Sequence, residues 1–204
     1  MTDFSPYTDV KSFIGLAALI ENVGVSAYAG AAQYITDKAY LTLAATILSV
    51  EARHQSWQQS SVLLAQPWNS AYDTVLGLDM VYTIASAFIT SCPASNPALP
   101  VKAAKALTVV SPAPGATVKF DFDNTGRGSV VEYAIFYSGT GAKSVALSTD
   151  HMATIPSTLQ GVTYVLISTS ATAAGVTTDN TVAGPAILSF PFDAFTSNPA
   201  FTGM

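Results

Sequence analysis

Charge is what this chain has least of. Only 10% of its 204 residues are charged, against about a quarter in an ordinary globular domain. Eight Lys and Arg stand against thirteen Asp and Glu, for a net charge of −5 and a pI near 4.7. No Lys/Arg cluster exists that could track phosphates, which argues against nucleic acid as a partner. Cysteine is nearly absent too. Cys92 is alone, so an intrachain disulfide and a cysteine-based zinc site are both excluded. Its setting, Thr90-Ser-Cys-Pro, reads as a thiol closing a helix, either an inert small residue or one that pairs with a partner chain. No uncharged apolar run reaches the roughly 18 residues of a membrane span. The first residues, MTDFSPYTDV, lack the basic and apolar regions of a signal peptide. Also missing are a Gly-x-Ser-x-Gly elbow, a P-loop and a dinucleotide fingerprint.

Half of the chain is hydrophobic. With so few charges to cover that surface, extensive burial or self-association is expected. The scarcity also makes the few acidic and imidazole side chains informative. There are three Glu and two His, and two of the Glu and one His fall inside apolar helical stretches.

The spacing predicts a first helix from about Val10 to Ala32, capped by Ser5-Pro6 or by Thr8-Asp9. Its stripe Ile14, Ala17, Glu21, Gly24, Tyr28 carries a single charge, Glu21. A break at Gln33–Asp37 holds Thr36 or Asp37 as the next cap, and a second helix follows from Lys38 to Ser61. So short a connection makes the pair an antiparallel hairpin. In the second helix Glu51 and His54 are three residues apart and share a stripe with Ala44, Ile47 and Gln58, the face expected to be buried. A Glu and a His so placed are the pair with which a helical bundle holds iron or manganese. An unpaired buried carboxylate is costly, and a metal ion removes the cost. The plainer reading is a polar core cluster, with Glu21 and Glu51 protonated or bonded to Arg53, Tyr28 or Tyr34.

Residues 72–91 read as a third apolar helix, interrupted near Gly77. The Pro-rich run Cys92–Pro100 reads as a linker, and the domain boundary is placed there: a helical segment over 1–100 and a β-domain over 101–204. Beyond it the apolar period becomes two. Strands are expected at Ala106–Val110, Thr117–Phe122, Val130–Tyr137, Ser144–Ser148, Met152–Ile155, Val162–Thr169 and Ala186–Phe190, separated by turn signals. Seven short strands in this span predict an immunoglobulin-like sandwich. Leu159-Gln-Gly-Val-Thr-Tyr164 reads as a tyrosine corner, with Tyr164 bonding back to the backbone. The fold class is therefore α+β in two parts.

Two further motifs occur in the β-domain. Asp121-x-Asp123-x-Thr125 resembles the nucleophile loop of haloacid-dehalogenase-type phosphatases, but the later acidic pair and the parallel sheet which that chemistry needs are absent. Asp121 through Glu132 also fits the spacing of a twelve-residue calcium loop. Strand flanks favour a hairpin turn shaped by Asn124, Thr125 and Gly126. His151 reads as an exposed loop or strand-edge residue.

Glu21-Asn-Val-Gly-Val-Ser-Ala-Tyr28, Ile35-Thr-Asp and Glu51-Ala-Arg-His54-Gln-Ser-Trp57 together resemble the ferritin-like domain of the fungal stress-response and plant desiccation-related family. Ser91-Cys-Pro-x-Ser-Asn-Pro-x-Leu-Pro100 and Asp179-Asn-Thr-x-Ala-Gly-Pro185 resemble its fungal branch. The resemblance implies a ferritin-like bundle followed by a β-domain, in a secreted or cell-surface protein. It further implies metal ligation by Glu21, Glu51 and His54. A full bundle draws a Glu from each of two helices and a Glu-x-x-His from each of two others, and only half of that set is present. The other half comes either from a longer precursor or from a second chain, whose Glu21, Glu51 and His54 complete a six-ligand site on a two-fold axis. Two functions remain open: a self-associating structural protein, and an iron or manganese protein with oxidase or peroxide-removing activity.

Overall fold

The structure is a computed structural model that describes residues 9–126 and 130–191. Helix α1 spans Val10–Ala31 and α2 spans Lys38–Trp57. Each begins where a carboxylate satisfies the first free amides. Asp9 accepts from Ser12 N, while Ser12 Oγ receives Asp9 N, which closes a capping box. Asp37 accepts from Ala39 N and Tyr40 N. The alternative cap, Ser5-Pro6, lies outside the described residues. α2 runs on into a π-helical turn, Gln58–Val62. The two helices lie antiparallel against each other, as the short connection requires.

The third helix is shorter than expected. α3 spans Leu78–Ser86 with Gly77 as its N-cap, so residues 72–77 are not helical and Cys92 stands exposed in an irregular segment. Before it, Leu76 passes very close to α1. A Cβ on Gly30 would lie 1.8 Å from Leu76 O, and Leu76 N donates to Ser26 O. Only glycine at position 30 permits this approach.

Seven antiparallel strands follow: β1 Leu107–Val109, β2 Thr117–Phe122, β3 Tyr133–Ser138, β4 Gly141–Ala146, β5 Met152–Thr154, β6 Gly161–Ser168 and β7 Thr181–Phe190. They form two sheets, β1-β2-β5 and β4-β3-β6-β7, the two-layer arrangement that the alternating pattern predicts. Between the sheets lies a core of Val118, Phe120, Phe136, Val165, Ile167 and Leu188.

The outer face of the four-stranded sheet is also covered. Val162 and Tyr164 of β6 pack with Leu76 and Ile84, and Leu19 and Val23 of α1 join them. Every residue of β6 is therefore buried. This corrects the reading of Tyr164 as a tyrosine corner. Its hydroxyl donates to Asn22 Oδ1 at 2.9 Å and lies 3.3 Å from Ser26 Oγ, both on α1. The bond ties the sheet to the helix instead of to its own backbone.

By length and composition, Val10–Tyr34 is apolar enough to cross a membrane, with a mean hydropathy of 1.4. Glu21 falls within every 18-residue window of this helix, so the run is not free of charge, as expected from the sequence. A core helix passes the same test, and Asn22 and Ser26 on this helix are engaged by the sheet.

Candidate metal centre

Glu21 sits midway along α1, and Glu51 and His54 lie in the last two turns of α2. The antiparallel hairpin brings the two helices level at this point. Glu21 Oε1 and His54 Nδ1 are 3.1 Å apart, a contact made across 33 residues of chain. Glu51 is placed differently. Its carboxylate lies against the α1 backbone at Gly24, where a Cβ would come within 2.2 Å of Glu51 Oε2. Glycine at position 24 is what leaves room for this side chain.

Among the described residues, Glu51 Oε2 is buried and has no hydrogen-bond partner. Its carboxyl is held above the ordinary value, first by burial and then by the negative charge of Glu21, with His54 pulling the other way. Gln55 Nε2 and Gln58 Oε1, on the following turn, are likewise buried without partners. Neither glutamate bonds Arg53, Tyr28 or Tyr34 among the described residues, so the polar cluster that those groups were to form is not made.

The buried face of α2 differs from the expected one. Ala44 and Gln55 are its buried residues, Glu51 is half-buried, and the His54 side chain is 56% exposed. Ala44, Ile47, Glu51 and Gln58 are buried or half-buried as expected, but His54 is exposed and Gln55 is buried instead. Glu51 thus marks the margin between packed and open surface, and His54 stands on the open side. Exposed apolar side chains share that side. Leu43, Val50 and Trp57 recur every seven residues along α2, and Phe13 and Ile20 do so along α1. A seven-residue apolar repeat is the pattern of a helix seam.

Among the described residues, no three His, Cys, Asp or Glu side chains come together as a complete metal cluster. The hairpin pairs Glu21 with His54 and sets Glu51 against Gly24. Two carboxylates and an imidazole are a donor set that iron(II) and manganese(II) accept. Gly24 and Gln58, which lie on the helical stripes, belong to this setting, as does Gln55, which the stripe did not single out. The Gly24 signal was available, since a small residue faces the acidic turn in the antiparallel register.

The family model of the ferritin-like domain matches residues 1–63. The matched span holds both helices of the hairpin and the π turn, and with them Glu21, Glu51 and His54. α3 and the sandwich lie outside it. No curated protein matches the sequence.

Proposed function

We propose that the hairpin is half of a ferritin-like four-helix bundle, completed by a second copy of this chain, and that assembly creates an iron or manganese centre. Glu21, Glu51 and His54 from each copy are its ligands, with Gly24 admitting the Glu51 carboxylate. One observation carries the reading: the face that bears Glu21 and His54 is also the face whose heptad-spaced Leu43, Val50 and Trp57 remain exposed. A ferritin-like site lies at the centre of four helices, and the described residues supply two long ones. When bound, the metal supplies redox chemistry of the oxidase or peroxide-removing kind. The chain's own part is to hold the carboxylates and imidazole on one face and to exclude water by closing the apolar seam.

A second reading rests on the 3.1 Å contact between Glu21 and His54. There the two side chains satisfy each other, and the protein is a structural module that assembles without metal. The secreted or cell-surface, stress-related setting implied by the resemblance belongs to both readings, and fractionating the source cells against their medium tests it.

Metal content and oligomeric mass, measured together on protein isolated without chelators, separate the two. The metal reading expects an even-numbered assembly with about one ion or more per chain. E51A and H54A should then lose the metal while remaining folded. An assembly free of metal supports the structural reading. A metal-free monomer overturns both.

A further inference from the structure

A second group of polar side chains in the sandwich is left unsatisfied, and it is independent of the helical site. Glu132, one residue before β3, is only 5% exposed, and among the described residues its Oε1 has no hydrogen-bond partner. Its Oε2 faces His151 Nε2 at 3.9 Å, beyond hydrogen-bond reach. The same Nε2 lies 3.3 Å from Asn124 Nδ2, while Asn124 Oδ1 is buried and unpartnered.

His151 is held firmly in this position. Its backbone is left-handed, with φ of 57°, and its ring stacks on Phe122 with centroids 4.5 Å apart. His151 N donates to Ser148 O, and Phe120 N donates to His151 O. The residue expected at an exposed edge is thus a fixed imidazole beside a buried carboxylate.

No arrangement of hydrogens satisfies the group. If Nε2 carries a hydrogen, it meets the Asn124 amide NH₂. If Nε2 is bare, His151 offers Glu132 no hydrogen, and Oε1 stays unpartnered among the described residues. Among the described residues, Glu132 has no ion-pair partner but His151. Two donor atoms bound to one ion at about 2.1 Å stand roughly 3–4 Å apart, which spans both separations here. Turning the Asn124 amide by half a rotation exchanges its nitrogen for the orphaned oxygen.

We infer that Glu132, His151 and Asn124 form a site for a divalent cation of the zinc or manganese class, which accepts mixed nitrogen and oxygen ligands. It is not the calcium loop suggested by the Asp121–Glu132 spacing. Asp121 is exposed, and Asp123 is committed to Lys105 at 2.8 Å and to Thr125 N at 2.9 Å.

Calorimetric titration with zinc chloride and then manganese chloride tests the assignment, in full-length E51Q/H54Q protein stripped with chelator. That background disables the helical site, so failure of one proposal cannot be mistaken for failure of the other. One equivalent should bind, and binding should weaken at least ten-fold in E132Q and in H151Q, each made in the same background. The His151 ring signals should shift on zinc addition by NMR. Absence of binding, or binding in E132Q and H151Q as tight as in the parent background, overturns the site. So does a His151 protonation midpoint that moves in E132Q while no metal binds, because the cluster is then an ion pair.

Discussion

At Gly24 a hydrogen stands where any other residue would place a carbon 2.2 Å from Glu51 Oε2. That single absence allows a carboxylate to settle against a helix backbone with nothing to neutralise it. The consequence is a pH dependence of known sign. The folded protein holds the Glu51 proton more tightly than the unfolded chain does, because burial and then Glu21 raise its carboxyl value. Stability from this group is therefore full below the ordinary carboxylate range and is lost as pH rises through the raised value. In chelator, E51Q should raise the melting temperature near pH 7 and change it little near pH 4, since glutamine keeps the shape without the charge. Thermal melts at the two pH values check this. With metal added at neutral pH, wild type should gain stability and E51Q should not.

The two long helices were legible in detail, and their surroundings were not. Both caps, Asp9 and Asp37, and the break between the helices follow from residues within a few positions of one another. So does the spacing of Glu51 and His54. His54 was read as buried and Gln55 was not, because amphipathic spacing reports which residues are apolar, not what covers them. Leu43, Val50 and Trp57 are apolar, lie off the stripe read as buried, and stand open in the single chain. If a second copy covers them, charge placed there should block assembly directly. V50E and W57E should each convert the oligomer to a folded monomer with unchanged helix content, as read by light scattering and circular dichroism. The loss of metal should accompany the loss of mass. A V50E protein that keeps its mass places the interface elsewhere.

Across the whole molecule, the helical part and the sandwich meet closely. Tyr164 reaches from β6 to Asn22, and burial pushes its hydroxyl up to about 12, so it remains a donor at ordinary pH. Asn69 Oδ1 receives Val162 N at 2.9 Å. A Cβ on Gly139 would lie 1.6 Å from Tyr72 O. Y164F should cost about 1–3 kcal/mol, because it leaves the buried Asn22 oxygen without a donor. G139A should force the loop at Tyr72 away from the sheet. Calorimetry should show one unfolding transition in the wild type and a split or broadened one in G139A. A single sharp transition with an unshifted midpoint in G139A would show that this contact does not couple the two parts. β6 itself carried a signal that alternation alone conceals. Val162-Thr-Tyr-Val-Leu-Ile is apolar on both faces, as befits a strand covered on each side.

What the sequence determined by itself was whatever nearby residues decide: the caps, the hairpin, the strand spacing and the kinds of side chain available as ligands. Tertiary structure alone decided which of those side chains meet. Glu21 reaches His54 across 33 residues and Tyr164 reaches Asn22 across 142. Glu132 faces His151 only because two sheets fold together. Periodicity assigns a residue to a face, but burial and pairing depend on what packs against that face, and the packing partner lies far along the chain or in another copy of it.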